Sequence, residues 1–459
     1  MDTKRKRTTV IRSLGKGHNL SKGHSLTKEY GFIKEQLYHN VNFIKERQKN
    51  IETQHYTNIP SYTNNKNNHP NYDIIVIGGG IQGAGVLQAA QAAGYASLAL
   101  EKSAWAAGTS SKSSKLIHGG LRYLQSGEFA LVKESLQERS LLLKNASGLV
   151  HHNWFHIPVY RHSRYRPWQI WIGLTLYWLL SGCKKEARFK IVSKKKWGKL
   201  KGLKTENLIK VFKYCDAQTD DVKLTESVIQ SAISLGAEVR CPATLISATQ
   251  IKGGYNVSYE ENSVTQTATC RFLVNAGGPW INQIAEAIYP QPNVIPIELV
   301  QGTHLILNQK LSDECFYLES PEDGRAVFVL PWHEGSLIGT TETAFEGNPE
   351  NSKTTEEERE YLLNILKTYF PDYTGYVSGE MAGLRVLPQN HDQKNFHHVS
   401  REVQLITDEK RLPHYLGIYG GKLTGYRATA QKVVKIIEKT LCKRDHRIST
   451  KDLLLKEML

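Results

Sequence analysis

Three glycines, Gly78, Gly80 and Gly83, follow an apolar run at residues 73–77 with the spacing G-x-G-x-x-G. The first glycine allows a tight turn, the second lets a pyrophosphate approach the backbone, and the third lets a helix pack closely on a strand. The start of that helix also offers N–H groups and a positive dipole end to phosphates. Glu101 ends the next apolar run, where its carboxylate can hold a ribose 2′-hydroxyl and disfavours a 2′-phosphate. The pattern predicts a dinucleotide site that NAD and FAD both fit.

A hydroxyl-rich segment at residues 109–114 (TSSKSS) comes next and leads into residues 115–123 (KLIHGGLRY). Serine and threonine hydroxyls beside a pyrophosphate would add neutral hydrogen-bond donors. Taken alone, the segment is equally consistent with a flexible serine-rich loop.

The elements that must position these residues alternate in type along the chain. Residues 73–77, 84–93 and 95–100 form a predicted strand–helix–strand unit, and residues 271–275 are a further buried strand. Residues 327–330 and 336–339 bracket a tight connection that is typical of a hairpin. Helices are predicted at residues 356–369 and 424–441. We therefore expect an α/β fold with an α+β insert, in which a Rossmann-type domain is interleaved with a substrate domain built on an antiparallel sheet.

The predicted domains are discontinuous. The dinucleotide domain takes residues 71–150, 210–285 and 380–445; the substrate domain takes residues 151–209 and 286–379. Residues 1–70 are a basic, polar extension that carries more than half of the net charge of +15 and is predicted to be disordered, and residues 446–459 are a tail. The cysteines form no CxxC motif or His/Cys cluster, so neither a structural metal site nor a disulfide framework is expected.

Residues 72–124, with the runs IGGGIQGAG and TSSKSSKLIHGGLRYL, closely resemble the FAD-dependent glycerol-3-phosphate dehydrogenases of the aerobic, quinone-linked type. The resemblance continues in the family's order to about residue 440, through VNAGGPW at 274–280, QGTH at 301–304, IGTT at 338–341 and GGKLT at 420–424. It implies bound FAD, oxidation of sn-glycerol 3-phosphate to dihydroxyacetone phosphate, and transfer of the electrons to a quinone. It assigns cofactor contacts to Gly78, Gly80, Gln82, Gly83, Glu101, Lys102, Thr109, Ser110, Ser111, Ser114, Lys115, His118, Gly119, Gly120, Ala276, Gly277, Trp280, Gly421, Lys422, Leu423 and Thr424.

The chain departs from the family's pattern in four places. Gln301 stands where the family usually has Lys, Glu342 replaces the usual Asp, and Gly425 replaces a usual Thr. Only 32 residues (459 − 427) follow Arg427, where the bacterial and mitochondrial enzymes carry a helical domain. The expectation is a member of the family that lacks this helical domain.

Oxidation of a secondary alcohol needs a hydride acceptor, which the flavin supplies, a base, and a group that holds the rest of the substrate. His304 is the candidate base, because imidazole transfers protons near neutral pH. Arg122, Arg385 and Lys422, named here the anion clamp, would bind phosphate or carboxylate, with Tyr123 as a further donor. His304, Arg385 and Lys422 are the predicted catalytic residues. The alternatives are a core histidine and solvated surface cations.

Residues 168–181 (WQIWIGLTLYWLLS) are too short to span a bilayer, but Trp168, Trp171 and Trp178 fall near one helical face. Residues 184–204 then hold ten Lys or Arg and one acid. Aromatic bulk beside clustered cations is typical of an interfacial anchor on anionic lipid, so a peripheral position on the cytoplasmic face of a membrane is expected. A core helix beside a solvated basic loop is the competing interpretation, and a cytoplasmic or mitochondrial location stays open.

Two other functions remain. One is a related FAD oxidoreductase or oxidase that acts on another anionic hydroxy acid or amino acid. The other is a flavin-binding protein without turnover, which the joint presence of the clamp and His304 disfavours. No nucleic-acid partner is expected, and a homodimer is left open.

Overall fold

The computed structural model describes residues 71–389 and 403–457. The predicted disordered extension, residues 1–70, lies outside them. The α-helices of the described residues are α1 Ile81–Ala92, α2 Phe129–Asn145, α3 Pro167–Leu180, α4 Asp221–Ser234, α5 Ile281–Glu286, α6 Glu356–Tyr369 and α7 Tyr426–Ile437. The strands are β1 Tyr72–Ile77, β2 Ser97–Leu100, β3 Leu116–Ile117, β4 Val150–Tyr160, β5 Lys190–Val192, β6 Leu208–Thr219, β7 Glu238–Arg240, β8 Thr244–Ile251, β9 Gly254–Glu261, β10 Val264–Asn275, β11 Ile288–Tyr289, β12 Ile297–Leu307, β13 Cys315–Glu319, β14 Ala326–Trp332, β15 Gly335–Gly339, β16 Thr343–Phe345, β17 Val377–Pro388, β18 Gln404–Thr407 and β19 Tyr415–Tyr419.

The first sheet has a parallel centre. β1 pairs in parallel with β2 on one side and with the end of β10 on the other, and β19 joins β10 in parallel. Its apolar runs are buried on both faces, as covered parallel strands must be. Helix α1 packs on helix α7 through small residues: a Cβ at Gly85 would lie 2.6 Å from the Tyr426 ring of α7. The glycine turn leads directly from the end of β1 into the start of α1.

The second sheet is largely antiparallel and is organised around β12, which pairs with β15, β16 and β17. β14 and β15 form the predicted hairpin. Helix α6 packs on this sheet through Leu362, Ile365 and Leu366, which belong to one buried apolar cluster. β12 and β17 pair along most of their length, and each carries a predicted catalytic residue, His304 or Arg385.

The predicted elements recur with small shifts at their ends. α1 begins three residues before the predicted helix because the glycine turn itself leads into the first turn, whereas α6 has the predicted limits. Strands β6 and β17, which fall almost wholly within the segments predicted for the dinucleotide domain, pair within the second sheet.

Candidate active site

A cavity of about 700 Å³ lies where the glycine turn after β1 faces β12 and β17. The predicted residues that line it are Gly78, Gly80, Gln82, Glu101, Lys102, Thr109, Ser110, Ser114, Tyr123, Ala276, Gly277, Trp280, His304, Arg385, Gly421 and Lys422. The remaining predicted residues are not part of the lining: Gly83, Ser111, Lys115, His118, Gly119, Gly120, Arg122, Leu423 and Thr424. The cavity thus joins the predicted dinucleotide site to the predicted substrate groups.

The glycine turn is close-packed and depends on its residue types. Gly78 has a φ of +110°, which strongly favours glycine. A Cβ at Gly83 would lie 1.9 Å from the Gly78 carbonyl oxygen, so the third glycine is needed for α1 to approach the strand. Glu101 is buried and accepts a hydrogen bond of 2.7 Å from the Gly79 N–H. The Glu101 carboxylate therefore holds the glycine turn through this hydrogen bond.

The hydroxyl-rich segment is an ordered part of the site. Ser110 Oγ accepts a 2.9 Å hydrogen bond from the N–H of Ile81, the first residue of α1. Thr109 Oγ1 donates 2.6 Å to the carbonyl of Leu384 on β17. The segment thereby connects the dinucleotide turn to the strand that carries Arg385.

Lys115 has a different position from a phosphate-binding lysine. Its Nζ is buried 2.6 Å from Asp221 Oδ1, at the start of α4, and also donates to the Ser111 carbonyl. Ser113 Oγ donates to the other oxygen of Asp221 at 2.6 Å. Burial raises the pKa of Asp221, and the Lys115 charge opposes that rise. The ion pair fixes the hydroxyl-rich segment from behind.

The loop that carries Gly119, Gly120 and Arg122 rests on a buried polar cluster. Gly119 N–H donates 2.8 Å to the hydroxyl of Tyr177 on α3, and that hydroxyl donates 2.8 Å to Asp216. Arg139 forms a buried ion pair with the same carboxylate. A Cβ at Gly119 would lie 2.5 Å from the Tyr177 hydroxyl oxygen, so glycine is required there. The cluster sets the position from which Arg122 extends.

His304 lies on β12 with its ring almost fully buried. Its Nε2 is 2.9 Å from Ser114 Oγ, which lines the cavity. Burial, followed by the positive charges of Arg385 and Lys115, lowers the pKa of His304 to about 3. The imidazole is therefore neutral at physiological pH and has a lone pair to accept a proton.

The arginines of the anion clamp meet at Glu342. Arg385 Nη1 is 2.8 Å and Arg122 Nη1 is 3.5 Å from the same Glu342 oxygen. Arg385 Nη2 donates 3.3 Å to Thr340 Oγ1. The Lys422 ammonium lies 3.7 Å from the centre of the Tyr123 ring. The arginines of the clamp are thus part of a network of charges that includes the Glu342 carboxylate.

Gln301, which departs from the family's Lys, is buried and donates 2.7 Å to Glu358 Oε2. The Glu358 carboxylate also accepts from the hydroxyls of Thr303, Thr341 and Thr343 at 2.7, 2.7 and 3.0 Å. Burial raises the pKa of Glu358, but these hydrogen bonds outweigh it and lower the pKa overall. Because position 301 carries Gln and not Lys, the charged Glu358 carboxylate accepts its hydrogen bonds from neutral donors.

Sequence reasoning missed Glu358, Tyr177 and Arg139, none of which touches the cavity. The local signal available was the sequence Thr355-x-x-Glu358, which is a capping box at the start of α6. That motif predicts a helix start, and it gives no indication that the same carboxylate binds β12.

The site fits a dinucleotide. The glycine turn leaves room for a ligand beside the backbone. Glu101 and Lys422 both line the same cavity. Gln82 Oε1 and Trp280 Nε1 are buried polar atoms with no hydrogen-bond partner among residues 71–389 and 403–457. Both residues line the cavity, so a bound group can satisfy these atoms.

This fold and this site define an oxidoreductase built on a dinucleotide-binding sheet. The chain belongs to the FAD dependent oxidoreductase family (DAO), whose sequence profile matches residues 73–435. The predicted fold class, family resemblance and FAD cofactor are thereby confirmed, and the protein is an FAD-dependent enzyme.

Named relatives agree with the family. The chain is 32% identical over 385 residues to the aerobic glycerol-3-phosphate dehydrogenase of Staphylococcus aureus (strain MRSA252), an alignment that covers 82% of this chain and 68% of that protein. A glycerol-3-phosphate dehydrogenase from Bacillus halodurans, solved with FAD, is similar with a TM-score of 0.64 at 26% identity, over 84% of this chain and 67% of that one. An L-alpha-glycerophosphate oxidase from Mycoplasma pneumoniae, with a TM-score of 0.65 at 16% identity over 82% and 97% of the two chains, shares the fold.

Proposed function

We propose that the protein oxidises sn-glycerol 3-phosphate to dihydroxyacetone phosphate and passes the electrons to a quinone. The observation that carries the proposal is the convergence of Arg385, Lys422 and His304 on the cavity that also contains the glycine turn. The relatives named for glycerol 3-phosphate support this choice of substrate.

Each group has a part in the proposed reaction. Bound FAD supplies the hydride acceptor. The anion clamp binds the phosphate and so orients the secondary hydroxyl towards His304. His304 Nδ1 is fully buried, so Nε2, beside Ser114, takes the hydroxyl proton. A phosphate beside Arg385 offsets the charge that lowers the pKa of His304, so substrate binding makes the imidazole more basic.

Anaerobic flavin bleaching tests the substrate. Glycerol 3-phosphate is expected to bleach the flavin, and Arg385→Ala and Lys422→Ala are expected to slow bleaching through a loss of about 2–4 kcal/mol of transition-state binding. The arginine variant should keep FAD. The matched control is Lys252→Ala, which removes an exposed lysine from the turn after β8. Bleaching by a hydroxy acid or amino acid, but not by glycerol 3-phosphate, would establish the alternative substrate class.

The quinone acceptor has a separate test. Photoreduced or substrate-reduced enzyme should be reoxidised rapidly by a soluble quinone analogue and slowly by dissolved oxygen. Faster reoxidation by oxygen would make the enzyme an oxidase.

We also propose peripheral binding to the cytoplasmic face of an anionic membrane through residues 168–204. Trp168 and Trp171 on α3 are 63% and 49% exposed and Leu179 is 50% exposed, so the helix presents an apolar outer face. The lysines at 194, 195 and 196 are exposed nearby in the chain, and each cation adds about 1 kcal/mol at an anionic surface. Among the described residues, no helix is long and apolar enough to cross a membrane.

Trp178 differs from the predicted arrangement. It is half-buried, and its indole N–H donates 3.0 Å to the Lys184 carbonyl. Trp168 and Trp171 are therefore the tryptophans that the proposed contact uses.

Liposome co-sedimentation tests the membrane proposal. Trp171→Ser should remove salt-resistant binding, and Gln at positions 194–196 should remove much of the salt-sensitive part. Ile251→Ser, at an exposed apolar residue of the first sheet, is the control. A chain that starts at Asn71 should still bind. If it loses all binding, the N-terminal extension is the anchor, and if neither chain binds, the proposed membrane contact is wrong.

A further inference from the structure

Glu342 is a carboxylate that contacts both arginines of the anion clamp, although it is not part of the cavity lining. Its side chain is 6% exposed and touches both arginines of the clamp through one oxygen. Its backbone is also fixed, because Arg325 Nη1 donates 3.0 Å to the Glu342 carbonyl. The neighbours Thr341 and Thr343 are both held by Glu358. Glu342 is therefore anchored on both sides and directed at the clamp.

Arg385 is confined on its other side as well. A Cβ at Gly302 would lie 2.9 Å from Arg385 Nη2 and 2.6 Å from Thr340 Oγ1, so the guanidinium packs against bare backbone of β12. The Arg385 guanidinium is therefore in contact with Gly302, Thr340 and Glu342.

From this geometry we infer that Glu342 is a positioning residue that orients Arg385 and lowers the affinity of the anion clamp in proportion to the negative charge of the ligand. The inference rests on the proposed anion-binding function. Within residues 71–389 and 403–457, the three cations of the clamp and this carboxylate sum to a charge of +2, which equals in magnitude the charge of a phosphate monoester dianion. Substrate and product are both such dianions, so a tighter clamp would hold both equally and slow product release without aiding the reaction.

Removing the charge of Glu342 should change the affinity for anions in a way that depends on the charge of the anion. Loss of a purely structural contact would not produce that dependence. Like-charge repulsion grows linearly with ligand charge, and at an effective dielectric constant near 40 it is worth roughly fivefold in affinity per unit of charge across about 9 Å. Glu342→Gln should therefore tighten acetate roughly fivefold and sulfate roughly 25-fold. The ratio of the acetate to the sulfate dissociation constant should rise about fivefold. KM and kcat for the substrate should both fall.

The experiment titrates oxidised holoenzyme with sodium sulfate or sodium acetate at constant ionic strength and follows the flavin absorbance. Glu342→Asp keeps the charge and should keep the wild-type ratio. Glu346→Gln, which neutralises an exposed acid four residues along the chain, is the matched control. An unchanged or lower ratio in Glu342→Gln, or the same rise in Glu342→Asp, overturns the inference while the clamp stands. If the wild-type enzyme binds neither anion, the clamp and the proposed substrate class fail with it.

Discussion

Replacing Glu358 by Gln tests how the second sheet holds the site. The carboxylate accepts five hydrogen bonds, from Gln301, Thr303, Thr341, Thr343 and the Thr355 N–H. An amide of the same shape keeps one accepting oxygen, so at least two donors must turn away or go unpaired, and the others lose charge assistance. Charge-assisted bonds are about twice as strong as neutral ones, which puts the gross loss at about 3–5 kcal/mol. The substitution also removes the cost of burying a charge, which offsets part of this loss. The free energy of unfolding should therefore fall by about 2–3 kcal/mol.

The loss should depend on pH. Because the folded-state pKa of Glu358 is lowered, its stabilisation is present above the unfolded pKa of about 4.3 and is lost as the pH falls through the folded value. Urea denaturation of FAD-saturated enzyme at pH 7 and pH 4 measures the difference, with Glu360→Gln on the exposed side of α6 as control. Glu358→Gln should have a lower free energy of unfolding than the wild type at pH 7. The difference between the two proteins should be smaller at pH 4. A stability within about 0.5 kcal/mol of wild type at pH 7 would refute this account of the cluster.

Three further predictions concern single residues around the cavity. His304→Asn should reduce flavin reduction about 10²–10⁴-fold. Because the pKa of His304 is lowered to about 3, the wild-type profile of kcat/KM should show no acid limb near pH 6.5, and such a limb assigned to this residue would contradict the burial argument. Lys115→Met should destabilise the fold by about 3–5 kcal/mol in urea denaturation, since it leaves the buried Asp221 carboxylate without its ion-pair partner, and adding Asp221→Asn should recover part of the loss. Gly83→Ala should yield protein without FAD on purification, because the added methyl group would lie 1.9 Å from a backbone oxygen, whereas Gly173→Ala, with open space around it, should keep the flavin.

The dinucleotide half was predictable because its signals are local. β1, the glycine turn and the start of α1 are contiguous, and Gly78 and Gly83 each have a steric reason within a few residues or at the end of the adjoining strand. Glu101 was likewise found from its place at a strand end. Its hydrogen bond to the turn could not be foreseen from that position alone.

The substrate half depended on pairings that are distant in the chain. Val300 on β12 lies opposite Arg385 on β17, and this register brings Arg385 towards His304. Lys115 illustrates the opposite outcome. A lysine in a serine-rich segment is typical of a phosphate ligand, but Asp221, 106 positions away, takes up its charge. The folded structure is needed to tell whether the Lys115 ammonium group contacts a phosphate or a carboxylate.

Tyr177 lies on the buried side of α3, the helix whose outer side carries Trp168 and Trp171, and its hydroxyl holds the loop that leads to Arg122. Tyr177 therefore links α3, with its exposed apolar face, to the loop that carries one arginine of the anion clamp. Thermodynamic linkage makes such a connection reciprocal: any displacement of α3 that changed anion affinity by a given factor would be favoured or opposed by the anion by that same factor. Binding at the outer face of α3 would then change the affinity of the cavity for its anion, and anion binding would change the affinity of the outer face, although the two ligands are not in contact.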